Sequence, residues 1–143
     1  MNLLTGRGFA IVALALLLLV SAAHVLAAPA PSCKDPAQAY ARTDLFFGRA
    51  RPGGVVSDAQ FQAFVDAEVA PRFPDGLTLL AGIGQFRDRH GATVVEGANV
   101  LILLYPLRDA QADRKIDAIR SDYRVRFEQQ SVLRADSVQC VSF

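Results

Sequence analysis

The chain has 143 residues, 52% of them hydrophobic and 20% charged, a length that supports one globular core and is short for two. Its 15 basic and 14 acidic residues leave a formal net charge of +1. A nucleic-acid-binding surface needs a basic excess to neutralise phosphates, so this balance, with the arginines interleaved among acids, excludes that class of partner.

Phe9 to Val20 is an uncharged apolar run that follows Arg7 and gives way to the small residues around Ser21-Ala22-Ala23. That order is the signature of a secretory signal peptide. Val25 and Ala27 fit the small positions before a cleavage site, so the cut is expected after Ala27 and the remainder in the periplasm or outside the cell. Residues 1–27 hold Arg7 and no acid, so their removal takes one of 15 basic residues and leaves 14 against 14. The alternative is a retained membrane anchor, because the apolar stretch reaches about 18 residues if Ser21 and His24 are tolerated. Contact with a membrane is expected only in that case.

Residues 28–39, with three prolines and no periodic pattern, read as a linker, and a single domain is expected over 40–143. Tyr40 to Gly48 suits a strand, with Thr43, Leu45 and Phe47 on one face and Arg42, Asp44 and Phe46 on the other. Arg49 to Val56 is a turn. Ser57 stands three residues before Gln60, a capping box that opens a helix running to about Ala70, with Phe61, Phe64, Val65 and Val69 on its apolar stripe. Pro71 closes it.

After the Phe73-Pro74-Asp75-Gly76 turn, Leu77 to Phe86 reads as a strand. Gly82 and Gly84 lack the third glycine and the following helix of a dinucleotide site, so a bulge or close packing is the expectation there. Arg87 to Gly91 is a polar hairpin connection. Thr93 to Tyr105 is the next strand, and its run Val100 to Leu104 is apolar on both faces, which implies that both faces are covered. Asp109 to Gln129 is the clearest helix, with Ala112, Ile116, Ile119, Tyr123 and Phe127 spaced by three and four. Ser131 to Phe143 reads as the closing strand.

The order strand, helix, strand, strand, helix, strand predicts an α+β, ferredoxin-like (βαββαβ, split βαβ) fold: a four-stranded antiparallel sheet with two helices on one face. First and last strands are neighbours in such a sheet, which brings Cys33, just before the first, close to Cys140 in the last. In an oxidising compartment this pair is expected as a disulfide. The alternatives are two free thiols or a lipidated Cys33, although Ala30-Pro31-Ser32-Cys33 departs from a lipidation signal.

Arg42-Thr43-Asp44-Leu45-Phe46-Phe47-Gly48, Phe73-Pro74-Asp75-Gly76-Leu77-Thr78, Gly84-Gln85-Phe86-Arg87, Gln130-Ser131-Val132-Leu133-Arg134 and the closing Cys140-Val141-Ser142-Phe143 resemble the successive signatures of domain of unknown function family 3574. The resemblance spans roughly Tyr40 to Phe143. It implies a small bacterial exported protein and brings with it no activity and no catalytic residue.

No nucleophile–base pair, phosphate loop or metal-ligand spacing stands out, so no catalytic residue, metal or cofactor is assigned. His90 reads as a solvated turn histidine. The polar residues of interest are those inside or beside strands, which need partners or water: Arg42, Asp44, Gln85, Glu96 and Arg134 are the candidate ligand-binding set, expected together on the helix-free sheet face, unless they form an ordinary ion-pair network. Phe46 and the two-sided apolar strand make that face greasy enough to associate, so a homodimer through it is expected. Two functions follow: a non-enzymatic envelope or secreted interaction domain, or a small-molecule-binding protein or enzyme with a polar cavity between paired sheets.

Overall fold

In the computed structural model, residues 32–88 and 90–143 are described. The signal peptide expected over residues 1–27 lies outside the described residues, as do residues 28–31 of the linker. Among the described residues, no helix is long and apolar enough to cross a membrane.

The chain forms strand β1 (Gln38–Gly48), a small hairpin of β2 (Ala50–Arg51) and β3 (Gly54–Val55), helix α1 (Asp58–Phe64), strands β4 (Thr78–Arg87) and β5 (Thr93–Pro106), helix α2 (Ala112–Phe127) and strand β6 (Leu133–Val141). The four long strands make one sheet in the order β4-β5-β1-β6, antiparallel at every pairing. This is the expected α+β, ferredoxin-like arrangement. The expected turn after β1 contains the β2/β3 hairpin, tightened by Gly53 at φ 78° and fixed where Arg49 donates Nε to the Val56 carbonyl at 2.8 Å. Neither two-residue strand has a hydrophobic period to read.

Helix α1 begins as the capping box predicts, with the Ser57 hydroxyl accepting from the Gln60 N–H and the Gln60 side chain returning a bond to the Ser57 N–H. It continues through a π-helical stretch, Val65–Val69, closed by the Ala70 N–H to the Val65 carbonyl, and stops before Pro71. Both helices cover the same sheet face. Their stripes, Phe61, Phe64, Val65 and Val69 with Ala112, Ile116, Ile119, Tyr123 and Phe127, meet Leu45, Phe47, Leu101 and Leu103 of the sheet in one buried cluster. Tyr123 sits at its centre, its ring 4.6 Å from Phe47 and 5.1 Å from Phe64, and its hydroxyl donates to the Gly48 carbonyl at 2.9 Å. Burial pushes the Tyr123 phenol up to about 12, with Glu96 adding to the rise and Arg49 opposing it.

Two expectations about the sheet change. Gly82 and Gly84 mark no bulge, since β4 and β5 pair without interruption from Thr78↔Ile102 to Arg87↔Thr93. The second face of β5 is not covered among the described residues: Val100 and Ile102 are only half-buried and Leu104 is exposed. The disulfide joins Cys33 to Cys140, with Cα atoms 5.5 Å apart, as the adjacency of first and last strands requires.

Candidate functional site

Strand alternation places Arg42, Asp44 and Phe46 on the face that the helices leave open. Register then sets their neighbours. Arg42 lies between Leu104 and Ser137, Asp44 between Ile102 and Ala135, and Phe46 between Val100 and Leu133. On β4, Leu80 and Phe86 continue this surface opposite Val100 and Val94. Phe46, Leu80, Phe86, Leu104 and Leu133 are each between 39 and 59% exposed. They are spread over all four strands.

The charge in the middle of this surface is internally closed. Arg42 grips Asp44 with two parallel bonds, Nε to Oδ1 at 2.8 Å and Nη2 to Oδ2 at 3.1 Å. The bond to Asp44 and its charge hold the guanidinium above its ordinary range. The pair contributes no net charge to the face.

One cross-strand row has almost no side chains: Gly48, Ala98 and Gly82 stand opposite one another on β1, β5 and β4. Glu96 lies beside this row. Its Oε2 accepts from the Ala50 N–H at 2.7 Å, and its Oε1 occupies the space that a Cβ on Gly48 would need, 2.8 Å away. Gln129 Nε2 donates to the Ala50 carbonyl at 2.7 Å, so both backbone groups of Ala50 are held by side chains. A Cβ on Gly82 would meet nothing within 4 Å. Gly48 and Ala98 of this row, with Gly84 on the same face of β4, line an open groove of about 1100 Å³ together with Phe46, Arg51, Phe86, Glu96, Gln129 and Leu133.

Arg42, Asp44 and Glu96 therefore share the helix-free face, whereas Gln85 and Arg134 do not. Gln85 alternates with Gly84 and Phe86 and takes the opposite side. Arg134 pairs with Leu45, so register gives it the face of Leu45, toward α2. There it bonds Asp113 at 2.6 Å and Asp136 at 2.9 Å, with Asp117 at 3.8 Å. Burial works against its charge, but the bonds to Asp113 and Asp136 outweigh it and raise its pKa. The expectation of one cluster is corrected: Arg134 joins a separate network and Gln85 lies apart on the opposite edge strand, because a shift of one residue in pairing exchanges faces and nothing in the sequence of β6 fixes that shift.

The Arg134 network has members that sequence reading passed over. Thr43, fully buried, donates its hydroxyl to Asp136 Oδ1 at 2.6 Å and lies 2.9 Å from the Tyr105 hydroxyl. With the threonine proton spent on Asp136, Tyr105 is the donor to Thr43. A threonine alternating with Leu45 and Phe47 on a core-facing strand was the available signal, since a buried hydroxyl needs a partner. Asp136 is held below the usual carboxylate range: burial opposes this, and the bonds from Thr43 and Arg134 win.

His90 lies on the β4–β5 connection, its N–H donating to Asp88 Oδ1 at 2.8 Å. No group of three or more His, Cys, Asp or Glu suited to a metal ion occurs among the described residues.

A family model described as "Protein of unknown function (DUF3574)" matches residues 42–143. The chain belongs to this family. The match begins within β1 and runs through β6, and thus takes in both faces described above. No curated protein matches the chain. Among solved structures, the fold is similar to that of a phage SAM lyase in complex with S-methyl-5'-thioadenosine, at 18% identity and TM-score 0.55, covering 73% of this chain and 90% of that one. A phage SAM lyase in the apo state is similar at 16% identity and TM-score 0.56, over 79% of this chain and 97% of that one. CutA from Synechococcus elongatus PCC7942 is 13% identical over 73% of this chain and 80% of that one, with TM-score 0.44. At these identities the likeness is one of fold alone.

Proposed function

We propose that this member of the DUF3574 family is an exported, non-enzymatic interaction domain whose working surface is the helix-free sheet face, and that the face closes on a second copy of the chain. The observation that carries the reading is the set Phe46, Leu80, Phe86, Leu104 and Leu133, exposed on four adjacent strands around the neutral Arg42–Asp44 pair. A large apolar patch on a small domain marks an association surface. A charge pair that is already hydrogen-bonded on both sides is the kind that tolerates removal from water. Export is supported by the leader pattern of residues 1–27 and by the Cys33–Cys140 disulfide, which suits an oxidising compartment.

Sedimentation velocity of the oxidised protein and of Phe46→Asp tests this. Wild type is expected to associate, and the folded variant to sediment at half the wild-type mass. A wild-type protein that stays monomeric at high micromolar concentration, or a variant that associates as strongly as wild type, overturns the reading.

The groove supports a second reading, a small-molecule site. A bare backbone floor with the Glu96 carboxylate at one side suits a flat apolar ligand carrying a hydrogen-bond donor. Native mass spectrometry of protein from its host's exported fraction tests it against Gly84→Leu, which puts a side chain into the groove, where its Cβ would meet the Ala98 Cβ at an ordinary 3.8 Å. A small molecule bound to wild type and absent from the variant supports the site; wild-type protein free of any ligand rejects it.

A further inference from the structure

The sheet has two edges, and the chain treats them differently. On β6, Arg134 and Asp136 put charges on the edge strand, and Cys140 ties its end to Cys33. Charged side chains are how edge strands avoid pairing with other chains. On β4 the nine residues Thr78 to Phe86 contain no charge and no proline. Leu80, Ile83 and Phe86 in that stretch are 51, 81 and 50% exposed.

The hairpin shows which backbone groups of β4 do not bond β5. The Asp88 N–H bonds the Ala92 carbonyl at 2.9 Å, and the register below it is unbroken. Antiparallel pairs alternate between bonded and non-bonded, so the even-numbered residues of β4 bond to β5. Leu79, Ala81, Ile83, Gln85 and Arg87 turn their N–H and C=O groups to the open edge.

We propose that two copies of the chain pair antiparallel through β4, with the two-fold axis at Ile83, making one continuous eight-stranded sheet. Side chains select the register. A two-fold normal to the sheet keeps each face on its own side, so residues of like parity must oppose one another. Centring on Ile83 sets it against Ile83 of the second copy, and Leu80 against Phe86 of the second copy in a non-bonded pair, where side chains come closest. All three strongly exposed apolar residues are matched in this way, and Gly82 opposes Gly84 of the second copy. Centring on Gly82 instead sets Leu80 against a glycine and leaves Ile83 against Ala81. This edge is a different surface from the helix-free face, so the inference goes beyond the reading above.

Amide exchange followed by NMR, with sedimentation velocity, tests it on wild type, Ile83→Pro, Ile83→Lys and Phe46→Asp. Proline at Ile83 removes only an outward N–H, which an edge strand tolerates, and the lysine variant keeps every amide. In wild type, the amides of Leu79, Ala81 and Gln85 are expected to exchange as slowly as those of their even-numbered neighbours. Both Ile83 variants speed them at least tenfold and halve the assembly, while the even-numbered amides stay protected. Fast exchange at those three positions in wild type overturns the inference. So does an assembly whose mass is unchanged in both Ile83 variants; if that assembly is then halved in Phe46→Asp, the contact belongs to the face.

Discussion

Thr43 does more than fill space. It is the joint between Tyr105 on β5 and Asp136 on β6, both of which it reaches from the central strand β1. Thr43→Val keeps the shape, removes the hydroxyl, takes from the Tyr105 hydroxyl its acceptor and leaves Asp136 with Arg134 alone, which is expected to cost about 1–3 kcal/mol in a urea unfolding curve. The carboxylates in these networks also set the acid limit. Asp136, Glu68 beside Arg72, and Asp109 beneath the Gln111 N–H and Lys115 all have depressed pKa values in the folded protein. A depressed carboxylate contributes stability above its unfolded pKa and loses it as pH falls through the folded one. Urea midpoints are therefore expected to hold steady above about pH 4 and to fall progressively below it, with Asp136→Asn flattening that fall.

At the scale of elements, α2 ends on a residue that its backbone does not favour. Glu128 sits at φ 55° and ψ 39°, the left-handed position usually given to glycine. Glu128→Gly is expected to stabilise the protein by about 1 kcal/mol, read as a higher urea midpoint with an unchanged slope. Both helices were legible in the sequence because their stripes and caps are local: Phe61, Phe64, Val65 and Val69, and Ala112 to Phe127, all reach the core as spaced. Strand positions were equally legible, and so was the split of β1 into Thr43, Leu45, Phe47 and Arg42, Asp44, Phe46. What β6 does with Arg134 was not, since its facing depends on register with a strand some 90 residues earlier in the chain. The groove was not legible for a related reason: Gly48, Ala98 and Gly84 come together only after three strands have been aligned.

Over the whole molecule, the topology and the cysteines were read from separate signals and agree. The disulfide spans 107 residues of sequence. On the chain-entropy model, a loop of that size contributes about 4–5 kcal/mol by restricting the unfolded chain. Reduction of the folded protein is thus expected to lower its unfolding free energy by about that amount, measured by urea titration with and without reductant. The same model makes the loss appear mainly in the unfolded state, so the spectrum of the native protein before denaturation is expected to change little.

Backbone and disulfide together close residues 33–140 into a covalent ring. A protease that cuts this ring once, for instance in the turn between β4 and β5, adds the mass of a water and releases no fragment. The nicked molecule keeps its strands tethered at both ends, and its pieces separate only when the Cys33–Cys140 bond is reduced or a second cut is made.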